Sequence, residues 1–209
     1  VGIYEVVLPV GGHHEIEFYV DLFKQQINQA RRDGRNPKVI VFSSPTYVTG
    51  TMLPIRELAD LAISERMYTL CDSAHGTGML NMDFHALGID FLAASGHKWQ
   101  CGPGGTGVWY ARNRVDDSNP LPLPAFYPVR GTSFRARSFA GDPQGAGGAR
   151  NYDIAAFNTP GGNPNYPQLL AFVDCCNLWE QIGRQSIEDR IMAMSAHVKA
   201  RVVREWGEE

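Results

Sequence analysis

Apolar residues recur along the chain with two different spacings. Short, continuous apolar runs predict β-strands at residues 3–10, 38–42, 67–71, 89–94 and 107–111. Apolar positions three or four residues apart predict α-helices at residues 15–32, 54–66, 168–182 and 185–205. Pro54 suits the start of the second helix, because a first-turn residue needs no backbone N–H partner.

Strands that alternate with amphipathic helices indicate an α/β fold with a mainly parallel sheet and helices on both faces. Ligands gather at the carboxyl ends of the strands in such sheets. Here those ends are followed by residues 43–51, 72–75 and 95–98, which are the stretches richest in reactive side chains. The sequence therefore predicts a site along this edge.

Composition narrows the function classes. The 209 residues carry a net charge of -3, which gives no electrostatic reason to expect a nucleic acid or an anionic membrane as partner. No run approaches the roughly 20 apolar residues that span a bilayer. The four cysteines have no CxxC spacing, so we expect free thiols in a reducing compartment.

The two ends suggest an internal piece of a longer protein. Val1 opens directly into an apolar run, and the chain stops at the end of a helical pattern. The expected location is the cytoplasm by default, or the periplasm if a missing N-terminus carried an export signal.

Two residues meet the main requirements of pyridoxal 5'-phosphate chemistry. The cofactor needs a lysine for imine formation and a carboxylate that keeps its pyridine nitrogen protonated. Lys98 and Asp72 each lie just beyond a predicted strand, so both can reach one crevice.

Four motifs then resemble the class V aminotransferases of pyridoxal-phosphate fold type I, a family that includes cysteine desulfurases and isopenicillin N epimerase-like proteins. They are Thr49-Gly50-Thr51-Met52-Leu53-Pro54, Asp72-Ser73-Ala74-His75, Ser95-Gly96-His97-Lys98-Trp99 and Gly102-Pro103-Gly104-Gly105-Thr106-Gly107. The resemblance implies that residues 1–166 are part of the cofactor-binding large domain. Residues 167–209 would lead into a small C-terminal domain.

The resemblance also implies individual roles. Lys98 would form the Schiff base, Asp72 would pair with the pyridinium, and His75 would touch the ring hydroxyl, where desulfurases usually have Gln. Ser95 and His97 match the phosphate-binding pair that precedes the lysine.

Three further positions correspond to cofactor contacts but depart from the family pattern. Thr46 and Tyr47 lie where desulfurases place an Asn near the cofactor. Asn163 lies in a segment that would reach the phosphate across a homodimer interface, where the family has Gly-Thr and this chain has Gly162-Asn163.

The implied function is chemistry at Cα of a small-molecule substrate, which is an amino acid or an amino-acid-containing intermediate. Lys98 would act as the base, and His75 favours the epimerase-like branch, which also holds transaminases, C–S lyases and a pyoverdine-maturation enzyme. One alternative is a cysteine desulfurase or selenocysteine lyase, which would need a cysteine beyond Glu209. The other is a non-catalytic scaffold with the same fold.

Simpler interpretations compete at several positions. The residues His75, His85, His97, Asp72 and Asp83 fit no standard zinc spacing, so no metal is expected. Trp99 and Trp109 are expected to be packing residues. Four arginines could bind a substrate carboxylate or only decorate a solvated loop, and the sequence leaves both open: Arg130, Arg135, Arg137 and Arg150.

Overall fold

A computed structural model describes residues 2–9, 14–112 and 165–207 of the chain. Within these ranges, four helices and four strands follow in the order α1 (Ile16–Arg32), β1 (Val39–Ser43), α2 (Ile55–Ser64), β2 (Tyr68–Asp72), β3 (Phe91–Ser95), β4 (Gly107–Ala111), α3 (Tyr166–Ile182) and α4 (Arg184–Trp206).

The four strands form one sheet in the order β1-β2-β3-β4. β1 pairs with β2 and β2 with β3 in parallel, whereas β4 returns antiparallel to β3. Ser43 lies opposite Asp72, and Ser95 lies opposite Gly107. The mixed α/β fold with a mainly parallel sheet is confirmed, and three strands end at the same edge.

The core lies between the sheet and helices α1 and α2. Ile40 and Phe42 of β1 point into a cluster that includes Phe23 of α1 and Leu58 of α2. Leu58 is completely buried, and burying one leucine side chain contributes about 1.5–3 kcal/mol. Val39 and Val41, which alternate with the buried residues of β1, are exposed.

The predicted strand at residues 3–10 was wrong for the residues that the structure describes. Residues 2–9 carry no regular secondary structure. Val6 and Leu8 pack against the core, whereas Ile3 and Val7 are exposed, so burial explains only part of the apolar run. The segment and β1 line a cleft of about 1000 Å³, and a strand needs a backbone partner as well as an apolar face.

A buried polar link joins the amino-terminal part of β2 to the residue before β3. Asp90 Oδ2 accepts hydrogen bonds from the Thr69 backbone N–H (2.9 Å) and hydroxyl (3.2 Å). The Asp90 N–H donates in return to Thr69 Oγ1 (2.8 Å). Thr69 is 0% and Asp90 1% exposed, so water contributes little to satisfying these groups.

Helices α3 and α4 pack on each other and reach back to the loops around the sheet edge. The Trp179 indole N–H donates to the Gly78 carbonyl (2.7 Å), and the Asn81 N–H donates to the Glu188 carboxylate (2.6 Å). None of the helices in the described ranges has the length and apolar character needed to cross a membrane.

The link between Thr69 and Asp90 predicts a stability change. Thr69→Val keeps the side-chain shape but removes two hydrogen bonds, one of them to a carboxylate. We expect the free energy of unfolding to fall by about 1.5–3 kcal/mol, measured by denaturant unfolding. Thr69→Ser retains the hydroxyl and should lose less. A Thr69→Val variant as stable as the wild type would contradict the role of this link.

Candidate active site

Asp72 ends β2 at the centre of the convergent edge. Its Oδ1 accepts the Ala74 backbone N–H (2.9 Å), and its Oδ2 accepts the Ser43 hydroxyl (3.3 Å) from the neighbouring strand. The residue is exposed, so these two bonds, rather than burial, fix the direction of the carboxylate. It can still accept a further donor from the open side of the edge.

Lys98 lies in the tight turn that follows β3. The Gly96 N–H donates to the Thr106 carbonyl (2.8 Å), and the Cys101 N–H donates to the Lys98 carbonyl (3.0 Å), which fixes the backbone on both sides of the lysine. The Lys98 Nζ lies 3.0 Å from His75 Nε2. The turns after β2 and β3 therefore bring these two predicted site residues into contact.

The His75 ring has a neighbour at each nitrogen and on one face. Lys98 lies at Nε2, and the Trp99 indole N–H donates to Nδ1 (3.3 Å). The Tyr47 ring lies 5.6 Å away, tilted by 36°. Contacts from two other turns, that of Tyr47 and that of Lys98 and Trp99, thus surround the His75 ring.

Trp99 departs from the packing role that the sequence suggested. It is 42% exposed and makes a directed hydrogen bond to His75. Trp109, by contrast, stacks on Phe91 with ring centres 5.9 Å apart. The adjacency of Trp99 to Lys98 was the available signal, but the direction of an indole N–H follows only from the folded turn.

Three other predicted site residues, Ser95, His97 and Thr46, lie within the described ranges. Ser95 is half-buried at the end of β3, and His97 is exposed with its Nδ1 3.4 Å from the Thr106 carbonyl oxygen. The Thr46 hydroxyl lies 2.8 Å from that of Thr49 and accepts the Thr51 N–H (3.0 Å), so it closes its own turn. Asn163 and the four arginines lie outside the described residues.

Helix α3 braces the lysine turn, a feature that the sequence analysis missed. A Cβ atom added at Gly96 would lie 2.7 Å from the Phe172 ring, and one at Gly102 would lie 2.5 Å from it. Gln168 also donates to the Gly104 carbonyl. The glycines therefore allow an aromatic ring to lie directly against the turn that carries Lys98.

Cys71 precedes Asp72 but is not a reactive group of the site. Burial, with a smaller contribution from the negative charge of Asp72, raises the pKa of the thiol to about 12. Cys71 is therefore a protonated packing residue at neutral pH.

The site offers an amine, a carboxylate and an imidazole in fixed relation. An amine can condense with a carbonyl group, a carboxylate can hold a proton on a heterocyclic nitrogen, and an imidazole can donate to an oxygen. Among the described residues, no group of three or more His, Cys, Asp or Glu side chains is arranged to hold a metal ion.

Known proteins with similar sequences point to one family. The family profile described as Aminotransferase class-V matches residues 7–204. The chain is 29% identical over 151 residues to a probable cysteine desulfurase 2 of Mycobacterium leprae, covering 72% of this chain and 33% of that protein. It is 34% identical over 101 residues to isopenicillin N epimerase of Streptomyces clavuligerus, covering 47% and 25%. The chain thus spans a third or less of these relatives.

Solved structures agree on the fold. The apo cysteine desulfurase of Thermococcus onnurineus NA1 superposes with a TM-score of 0.60 at 21% identity, over 88% of this chain and 41% of that chain. Alanine–glyoxylate aminotransferase of Nostoc sp. gives a TM-score of 0.58 at 13% identity, over 85% and 43%.

The contact between Phe172 and the lysine turn predicts a difference between two glycines. Gly96→Ala would place a methyl group 2.6 Å from Thr106 Oγ1 and 2.7 Å from the Phe172 ring. We expect it to lower the free energy of unfolding by about 1–3 kcal/mol, measured by denaturant unfolding.

Gly104→Ala is the matched control, because an added Cβ there meets nothing within 4 Å. It should be nearly neutral. Equal losses in the two variants would show that the close contacts with Thr106 and Phe172 do not set the steric limit at Gly96.

Proposed function

The chain belongs to the aminotransferase class-V family, and we propose that it is the part of a pyridoxal 5'-phosphate-dependent enzyme that holds the cofactor and acts at Cα of an amino acid or amino-acid-containing intermediate. The observation that carries the proposal is the contact between Lys98 Nζ and His75 Nε2 (3.0 Å) at the edge where Asp72 ends β2. Fold type I, with residues 1–166 in the large domain and 167–209 leading into a small domain, is part of the proposal.

The donor set at this edge fits the cofactor. Lys98 would bind its aldehyde carbon covalently, and Asp72, oriented by Ser43 and Ala74, would hold a proton on the pyridine nitrogen. His75 would contact the ring hydroxyl. When bound, pyridoxal phosphate supplies an electron sink that stabilises negative charge at Cα of the substrate.

The phosphate would be held by residues around the lysine turn. Ser95 and His97 flank Gly96, whose own N–H is already used by the Thr106 carbonyl, so the side chains are the donors available there. The His97 ring, with Nδ1 towards Thr106, can offer Nε2. Thr46 and Tyr47 would border the cofactor, and Asn163 would reach it from the second subunit of a homodimer.

Lys98 would also be the residue that moves the proton at Cα of the substrate. Its amine lies beside His75 and would act there as the general base. Its backbone, fixed by the Gly96 and Cys101 hydrogen bonds, would return it to the same place in each turnover.

His75 favours transaminase, epimerase or C–S lyase chemistry of the epimerase-like branch. The 34% identity to isopenicillin N epimerase supports this assignment. Cysteine desulfurase is the second candidate, supported by the match to the probable desulfurase of Mycobacterium leprae and to a probable cysteine desulfurase of Aeropyrum pernix, which is 27% identical over 191 residues.

Removal of Lys98 tests the cofactor assignment. We expect the wild-type protein to absorb at about 420 nm, as lysine-bound pyridoxal phosphate does. The Lys98→Ala variant should lose that band after dialysis. Borohydride reduction should fix the label on the peptide that contains Lys98, as read by mass spectrometry.

Lys24→Ala is the control, because Lys24 is an exposed lysine of α1 that pairs with Asp21 (3.5 Å). It should keep the full band. A band that persists in Lys98→Ala would refute covalent attachment at this lysine.

The reaction class is tested with a panel of amino acids supplied to the full-length protein. We expect a keto acid or an inverted amino acid as product, because His75 favours the epimerase-like branch. Alanine and sulfide formed from cysteine in the presence of a thiol reductant would support the desulfurase instead. A protein that binds no cofactor and converts no substrate would fit the scaffold role.

A further inference from the structure

The two hydrogen-bond contacts of His75 restrict where its ring proton can lie. The Trp99 indole N–H is a donor only, and it points at Nδ1 from 3.3 Å. In that bond Nδ1 is the bare nitrogen that accepts. In a neutral imidazole the single proton is left on Nε2.

Nε2 is the nitrogen that faces Lys98, at 3.0 Å. A group bound covalently to Lys98 would therefore lie on the Nε2 side of the ring. A proton on Nε2 makes His75 a hydrogen-bond donor towards that group, whereas a proton on Nδ1 would present a lone pair to it. The oxygen beside the aldehyde carbon of pyridoxal phosphate needs a donor.

Lys98 itself would favour the opposite arrangement. A lysine ammonium has three donors and no acceptor, so next to an unrestrained histidine it would donate to Nε2 and leave the ring proton on Nδ1. The Trp99 N–H opposes this outcome from the other side of the ring. Once Lys98 is bonded covalently to the cofactor, its free ammonium no longer competes for Nε2.

We infer that Trp99 is a positioning residue that holds the ring proton of His75 on Nε2, so that His75 presents a donor to the cofactor bound at Lys98. That His75 donates to a bound cofactor rests on the proposed function, whereas the effect of Trp99 on the His75 ring does not.

The first test is the position of the ring proton in the cofactor-free, full-length protein. Two-bond ¹H–¹⁵N spectra, compared at the same pH, should show a larger Nε2-protonated share of His75 in the wild type than in Trp99→Phe. In Trp99→Phe the Nδ1-protonated form should become prominent, because the Lys98 ammonium can then donate to Nε2.

Trp109→Phe is the matched control. Trp109 is 45% exposed, close to the 42% of Trp99, and it stacks on Phe91 rather than touching His75. The His75 spectrum should stay as in the wild type. Protonation of wild-type His75 at Nδ1, or an unchanged spectrum in Trp99→Phe, would overturn the inference.

The second test measures cofactor affinity in a double-mutant cycle with His75→Gln. A glutamine amide carries its own donor and has no tautomer to set. Trp99→Phe should weaken pyridoxal-phosphate binding roughly three- to tenfold in the wild-type background, the size of one hydrogen bond. In the His75→Gln background the change should be within about twofold.

The outcomes separate the two proposals. Equal weakening in both backgrounds would mean that Trp99 acts through packing, and the inference would fail while the cofactor assignment stood. A Trp99-dependent ring proton in a protein that binds no pyridoxal phosphate would refute the proposed function and leave the Trp99–His75 relation supported.

Discussion

The pairing of β2 with β3 is the constraint on which the rest of the structure depends. The buried bonds between Thr69 and Asp90 fix how these strands lie beside each other, three residues before Asp72 and five before Ser95. Parallel strands have no tight turn to set their register, so a specific polar pair is an effective device. Since each strand rises about 3.3 Å per residue, a slip of one position would separate the carboxylate from the lysine turn. The geometry of the candidate site is therefore decided at the opposite end of the strands.

The sequence predicted the elements well where composition and period agreed. Short apolar runs located β1 to β4, and the helical periods located all four described helices, because burial of one face or stripe is a local property. The strand predicted at residues 3–10 was wrong because a short apolar run does not report whether the backbone has a pairing partner. The motifs predicted Asp72, His75 and Lys98 as candidate site residues. The contacts of Trp99 with His75 and of Phe172 with Gly96 could not be predicted in this way, because they depend on tertiary packing. No local pattern encodes such a contact.

Two histidines at the carboxyl edge of the sheet, His75 and His97, have different surroundings. His75 is half-buried, with neighbours at both ring nitrogens, so its donor and acceptor sides are determined by its surroundings. His97 is exposed and has one nitrogen near a backbone carbonyl, which leaves the other towards solvent. The first arrangement suits a role that needs a defined proton, and the second suits binding of an anionic group that can be approached from water.

The packing of α3 against the lysine turn has a consequence for the order in which the chain folds during synthesis. The four strands of the described ranges lie within residues 39–111, whereas the Trp179–Gly78 bond closes a separation of 101 residues. Closing such a long loop costs entropy that is recovered only after α3 has formed. During synthesis, at roughly 5–20 residues per second, the strands can pair several seconds before Phe172 reaches Gly96. The four described strands can therefore pair first, and the turn that carries Lys98 gains its contact with Phe172 only after α3 has been made.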